Sequence, residues 1–296
     1  MKKLILSTLL ASTLVLTACE AAESEETPET EEETVQEDTS DQETTTETDD
    51  TSEEETDESE ETVDEEESEV AEAPEYLYEV SDNFAYINVL DGKEANKQVA
   101  LLTFDDGPNE HTLGIAEILA DKDAPAIFFV NSMYLEDDEG KDILKEVHEM
   151  GFTIGNHTHT HASLPSISED KQTEEIIKTN DMVEEIIGVR PRFFRAPFGQ
   201  NTDHSKQVVK DEGMALMNWT YGYDWEADYQ NADALADIMV NTNLLVSGSN
   251  LLMHDREWTK EATPAIIDGL REKDYELLDP ELIQTGNSES EEMTND

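Results

Sequence analysis

A chain of 296 residues has room for one sizeable domain or two small ones, and its 36% hydrophobic residues leave enough apolar side chains for a core. Its 74 acidic residues against 18 basic ones give a formal net charge of −56, which excludes nucleic acids and anionic membrane surfaces as partners held by charge. The single cysteine, Cys19, excludes an internal disulfide, so stability must come from packing.

The chain starts with Lys2 and Lys3 and a mostly apolar run from Leu4 to Leu16. At about 13 residues this run is short of the roughly 20 that span a bilayer. It ends in Leu16-Thr17-Ala18-Cys19, which resembles a bacterial lipoprotein signal. Residues 1–18 are therefore expected to be removed. Cys19 is expected to carry a lipid that anchors the chain to the cell membrane, outside the cytoplasm. Residues 19–75 read as an acidic linker: 29 of the 56 residues from 20 to 75 are Asp or Glu, with no Lys, Arg or aromatic among them. Such a segment cannot bury enough apolar surface to offset the entropy of ordering, so disorder is expected. As a flexible tether it would span on the order of 40 Å, and more when charge stretches it. Beyond it, 45 acidic residues still face 16 basic ones. That excess suggests adaptation to high salt, where screening relieves the repulsion.

Folding then falls to residues 76–285, with 286–296 an acidic tail and 76–97 a lead-in. Short apolar runs predict strands at Val99 to Phe104, Ala126 to Val130, Phe152 to Ile154, Phe193-Phe194, Met214 to Met217, Asn250 to Met253 and Tyr275 to Leu278. Helical periodicity fills the intervals, at Ile115 to Ala120, Ile143 to Met150, Glu174 to Ile187, Ser205 to Glu212, Ala232 to Asn241 and Thr259 to Arg271. Ser168 suits an N-cap. Repeated strand–helix alternation implies an α/β fold with a parallel sheet, closed or nearly closed into a barrel. In such folds the chemistry sits at the C-terminal ends of the strands.

The polar motifs occupy those ends. Asp105 and Asp106 close the first strand before a Gly107-Pro108 turn. Neighbours on a strand point to opposite sides, so one carboxylate can hold a cation while the other stays free as a base. His157 and His161 follow the third strand. On a continuing strand they would lie roughly 13 Å apart; on a helical turn they become neighbours. Two imidazoles and a carboxylate make the ligand set of a catalytic zinc-type site. His159 between them points away, and His111, His148 and His204 suit surface or packing roles. Arg195 could orient a buried carboxylate through paired hydrogen bonds. His254 ends the sixth strand, where an imidazole could protonate a leaving group. Asp255 after it suits a cap on the following turn. Trp219, Tyr221, Tyr223 and Trp225 suit sugar stacking.

In this order and spacing, the motifs Thr103–Pro108, His157–His161, Arg195–Gly199, Tyr223–Trp225 and Leu252–Asp255 resemble the polysaccharide deacetylases of carbohydrate esterase family 4, the NodB-homology domain, over about residues 97–280. The resemblance implies a distorted (β/α) barrel. It gives Asp105 as general base, Asp106, His157 and His161 as metal ligands, Arg195 as the residue that holds the base, and His254 as general acid. The backbone N–H of Phe198 matches an oxyanion donor, and Trp225 an aromatic wall of the sugar groove. The implied metal is divalent, zinc first, with cobalt, manganese or nickel also accepted by such a site. One position departs from the pattern. The aspartate that tunes the acid histidine in many members lies four residues before the tryptophan, where this chain has Tyr221. Asp224 could substitute, or Asp255, or the histidine could go untuned.

The implied activity is hydrolysis of N-acetyl groups on an amino-sugar polymer. Peptidoglycan N-acetylglucosamine is the natural substrate for an enzyme tethered at the cell wall. Chitin-like oligomers, an exopolysaccharide or an O-acetylated xylan would use the same motifs. A catalytically silent glycan-binding lipoprotein is a reading of another class, and it would be expected to have lost one of these residues. A monomer is expected.

Overall fold

The computed structural model describes residues 75–286. The expectations placed on the signal segment, on Cys19 and the linker to residue 74, and on the tail from residue 287 lie outside the described residues. Residues 76–97, expected to be a lead-in to the domain, form an antiparallel hairpin, β1 (Tyr78–Val80) and β2 (Ile87–Val89). With three residues per strand, the hairpin is too short for a period-two pattern to stand out. Tyr78 and Ile87 are buried with Val99, Leu278 and Ile283, so the hairpin covers the end of the sheet where the strands begin.

β3 (Val99–Gly107) is the central strand, with parallel partners on both sides. Its residues from Val99 to Asp105 are all buried, as suits a strand covered on both faces. Alternation still sorts the faces. Ala100, Leu102 and Phe104 join the large cluster under the helices, while Leu101 joins an inner one with Ile127, Phe129 and Phe193. Thr103 and Asp105 share the inner face with Leu101. That register puts a carboxylate inside the barrel at its C-terminal end.

Beside β3 lie β4 (Ala126–Val130), β5 (Thr153–Asn156), β6 (Phe193–Phe194) and β7 (Ala215–Leu216) on one side and β8 (Ser249–His254) on the other, all parallel. β9 (Glu276–Leu277) pairs with the start of β3. Past β7 the chain bonds back onto β8: the Thr220 N–H donates to Asn250 O at 2.8 Å and the Leu252 N–H to Tyr221 O at 2.9 Å. The parallel sheet is thus curled into a distorted barrel, sealed by this short seam. In β5, a Cβ on Gly155 would sit 2.5 Å from the Phe129 ring, so the inner packing requires glycine there.

Six helices follow the expected intervals: α1 (Thr112–Asp121), α2 (Asp138–Glu149), α3 (Glu169–Ile187), α4 (Asp203–Asp211), α5 (Ala232–Asn241) and α6 (Glu257–Glu272). Ser168 caps α3 by accepting from the Lys171 N–H, as the sequence predicts, and Asp137, Thr202 and Asn231 cap α2, α4 and α5. Each such cap contributes about 1 kcal/mol. None of the helices among the described residues is long and apolar enough to cross a membrane.

Candidate active site

Arg195 stands just past β6 and is the largest fully buried side chain of the domain. Burying a guanidinium is costly unless its donors are met. Its NH1 donates to Asp105 Oδ1 at 2.6 Å and Thr103 Oγ1 at 2.8 Å, and its NH2 to Asn218 O at 2.8 Å and Asn250 Oδ1 at 3.1 Å. The Phe129 ring lies 4.3 Å from its carbon centre. Burial lowers its pKa and the Asp105 charge works against that. The expected paired grip on a carboxylate is not what forms: one nitrogen serves Asp105 while the other crosses to β8 and residue 218. That leaves Asp105 Oδ2 free of the guanidinium.

Asp106 would point to the opposite face if β3 kept its pleat. A register shift between Asp105 and Gly107 and a left-handed backbone at Asp106 (φ 69°) turn it into the same cavity instead. His157 and His161 do meet, with ring centroids 5.0 Å apart, yet not on a helical turn. Residues 157–163 are an irregular loop bent by left-handed Thr158 (φ 71°) and His161 (φ 57°). Non-glycine residues in this region cost of order 1–3 kcal/mol each, and such strain gathers at functional sites. His159 points away, as expected, to Ser132 and Lys178.

Asp106, His157 and His161 offer ligand atoms that all lie within 4.8 Å of one another. Asp106 Oδ1 stands 3.4 Å from His157 Nε2 and 3.3 Å from His161 Nε2. It is buried without a hydrogen-bond partner. His157 Nδ1 donates to Arg195 O at 2.7 Å, which leaves Nε2 as the lone-pair nitrogen aimed at the cluster. Burial raises the Asp106 pKa, but His157, with His254 and His161 behind it, holds it well below the usual carboxylate range. Burial and His157 lower the pKa of His161, favouring its neutral form. An orphaned carboxylate oxygen facing two imidazole nitrogens fits a divalent cation, which needs deprotonated ligands.

His254 closes β8 on the other side of Asp106, its Nε2 3.9 Å from Asp106 Oδ2. Its Nδ1 hydrogen-bonds Asp224 Oδ1 at 2.8 Å. Asp224 is fully buried, and its Oδ2 accepts from the His254 N–H at 2.6 Å and from Thr259 Oγ1 at 3.0 Å. Burial alone would lower the His254 pKa, but this carboxylate raises it. The acid that partners His254 is thus, by geometry, Asp224. Tyr221 lies in the core instead, its hydroxyl donating to Met239 O at 2.7 Å. Asp255 does not cap α6, whose N-cap is Arg256. Its side chain accepts from the Thr112 hydroxyl at the start of α1, and burial pushes its pKa up to about 7.

Asp105, Asp106, His157, His161 and His254 line one cavity of about 350 Å³ with Phe198, Trp219, Trp225, Leu252 and Arg256. Phe198 is 61% exposed with a left-handed backbone (φ 59°), and its ring meets His161 edge-on. Trp225, 44% exposed, stands edge-on to His254 at 5.5 Å. Of the four aromatics expected to stack on sugar, Trp219 and Trp225 reach the cavity, while Tyr221 and Tyr223 pack inward. Sequence reasoning missed Asn218, Asn250, Thr259 and Arg256. Asn250 carried a signal, a polar residue inside an apolar strand. The other three are visible only in three dimensions.

A buried acid–base pair on each side of a two-histidine, one-carboxylate cluster is the layout of a hydrolase. Comparison with known proteins narrows the class. The family model described as polysaccharide deacetylase matches residues 92–217. A peptidoglycan-N-acetylglucosamine deacetylase of Bacillus cereus is 31% identical over 195 residues, 63% of this chain and 70% of that protein. The peptidoglycan deacetylase PdaC of Bacillus subtilis, a solved structure, is similar with a TM-score of 0.56 and 27% identity, over 67% of this chain and 93% of that one. A carbohydrate esterase family 4 pseudoenzyme from Bacillus anthracis is similar with a TM-score of 0.57 and 28% identity, over 65% and 68% of the two chains. The chain belongs to the polysaccharide deacetylases of carbohydrate esterase family 4, and it is a deacetylase hydrolase.

Proposed function

We propose that the protein removes N-acetyl groups from the N-acetylglucosamine of peptidoglycan, outside the cytoplasm, releasing acetate and leaving a free amine on the sugar. The observation that carries the chemistry is the convergence of Asp105, held by Arg195, and His254, held by Asp224, on the Asp106–His157–His161 cluster. In this reading Asp106, His157 and His161 hold a divalent metal, zinc by donor type. A bound cation there supplies Lewis acidity, polarising the acetyl carbonyl and lowering the pKa of water. Asp105 uses its free Oδ2, 3.7 Å from His157 Nε2, to take the proton of the attacking water. The Phe198 amide donates to the oxyanion that forms on the carbonyl oxygen when water adds to the carbon. As the C–N bond breaks, protonated His254 gives its Nε2 proton to the departing amine, while Asp224 holds the ring through Nδ1. Trp225 and Trp219 wall the sugar.

The peptidoglycan assignment draws on the activity named for the Bacillus cereus relative. The signal-like start of the chain supports placement at the cell surface through a lipid on Cys19, with residues 19–75 as the tether. The test is acetate release from purified peptidoglycan, from chitin oligomers and from acetylated xylan. Each is run with and without chelator, across a range of salt, with Asp105→Asn alongside. Release from the wall that vanishes with chelator and in the variant is the expected result. Release from chitin or xylan alone moves the substrate. Metal binding without release from any of the three overturns the hydrolase reading for a glycan-binding one.

A further inference from the structure

Of the five arginines in the chain, four hydrogen-bond through their guanidinium groups: Arg190, Arg192, Arg195 and Arg271. Arg256 is the exception. Its guanidinium makes no hydrogen bond among the described residues, and its one acidic neighbour is Asp106 Oδ2 at 4.0 Å. Half of its side chain is exposed, and it lines the cavity beside His254. In a chain this rich in carboxylates, an arginine that pairs closely with none is a group left open to something else.

The local chain fixes where that group stands. The Arg256 N–H donates to His254 O at 2.8 Å. The preceding Asp255 is clamped to the Thr112 hydroxyl, and its carbonyl accepts from Asn109 Nδ2 at 3.0 Å. The Cα is therefore anchored to the end of β8, while the half-exposed side chain lines the cavity. A planar guanidinium with unmet donors is suited to gripping a carboxylate through two parallel hydrogen bonds. The large negative charge of the protein repels a polyanion at long range, but that field is screened within about 8 Å at physiological salt. Recognition on contact is then left to the local cation.

We infer that Arg256 is a specificity-determining residue that binds a carboxylate carried by the glycan, on the sugar being deacetylated or on its neighbour. The substrate class is thereby an acidic N-acetylated polysaccharide and not neutral chitin or xylan. This rests on the deacetylase reading and deepens it. The carboxylate is either the free lactyl acid of a muramic acid without a stem peptide or the acid of a uronic sugar, and the oligomers below distinguish the two.

The test measures equilibrium binding to the full chain of three oligosaccharides, the two acidic ones alongside their amidated, uncharged twins. These are a lactyl-bearing glycan fragment, an alternating hexuronate–N-acetylhexosamine oligomer, and neutral N-acetylglucosamine oligomers. Wild type should prefer a carboxylated oligomer to its amidated twin by about tenfold, the size of one charge-assisted contact. In Arg256→Gln the ratio should fall to about one, and Arg256→Lys should keep part of it, having the charge without the fork. The oligomer that shows the preference identifies the source of the carboxylate. A wild type that binds charged and amidated forms equally, or an Arg256→Gln protein that keeps the preference, overturns the inference. Acetate release measured in parallel separates it from the underlying reading. Preferential binding without release sinks the deacetylase chemistry alone, and release without preference sinks the role of Arg256 alone.

Discussion

Replacing Asp224 by asparagine keeps its size and removes its charge, and the effect falls on His254. Asp224 uses Oδ2 for two donors, the His254 N–H and the Thr259 hydroxyl, and Oδ1 for His254 Nδ1. Asparagine has one acceptor oxygen. Keeping it on the two-donor side turns the amide NH₂ toward Nδ1, which must then accept and cannot carry a proton. The imidazolium loses a charge-assisted hydrogen bond in a buried setting, worth about 1.5–3 kcal/mol. Losing it lowers the His254 pKa. In the native protein the His254 pKa is raised by Asp224 against the opposing effect of burial, so the protonated acid persists as pH rises until that raised pKa is passed. In Asp224→Asn the alkaline limb of the kcat/KM profile for acetate release should therefore move to lower pH. Stability should follow the same sign. The native pair stabilises fully below the unfolded histidine pKa of about 6.5 and loses that contribution as pH rises through the folded value. The variant should therefore lose more in a urea melt at pH 5 than at pH 9. An alkaline limb that stays in place, or moves upward, would refute the assignment of Asp224 as the group that tunes His254.

Arg195→Met leaves the Asp105 carboxylate buried without its partner and should cost about 3–5 kcal/mol, read as a lower urea midpoint at unchanged slope. The double variant with Asp105→Asn should recover part of the loss, and a cost for Arg195→Met below about 1 kcal/mol would count against the buried grip. Zinc at a hundred times its Kd should stabilise the wild type by about 2.7 kcal/mol in thermal unfolding. Asp106→Asn and His161→Ala should remove that gain and Asp105→Asn should keep it, whereas a gain surviving in His161→Ala would place the ion elsewhere. Gly155→Ala should destabilise by about 1–3 kcal/mol through its contact with the Phe129 ring. A neutral result would mean that the ring has room to turn aside.

The strands and helices were legible because each apolar run is short and each interval between runs carries a helical stripe. The motifs were legible because they sit where those runs stop. What the sequence could not convey is the backbone between the motifs. The approach of His157 to His161 looked like a helical turn because spacing alone offers only regular geometries. The structure achieves it with left-handed Thr158 and His161, conformations too uncommon outside glycine for the spacing to suggest. The adjacent pair Asp105-Asp106 read as two carboxylates on opposite faces, and only the positive φ of Asp106 brings both to one cavity. Tyr221 and Asp224 differ by three positions. Which of them reaches His254 depends on the path of an irregular segment, not on spacing.

The guanidinium of Arg195 does more than hold one carboxylate. Through Asn218 O and Asn250 Oδ1 it ties together the two edges that the Thr220–Asn250 and Tyr221–Leu252 bonds bring side by side. The carbonyl of the same residue fixes the ring of His157. Zipping that seam and assembling the base and the first imidazole are consequently a single cooperative event. An open-seamed folding intermediate would carry every reactive residue and yet have no site. Amide exchange at Thr220 and Leu252 should accordingly track the loss of the working geometry more faithfully than exchange anywhere in the outer helices.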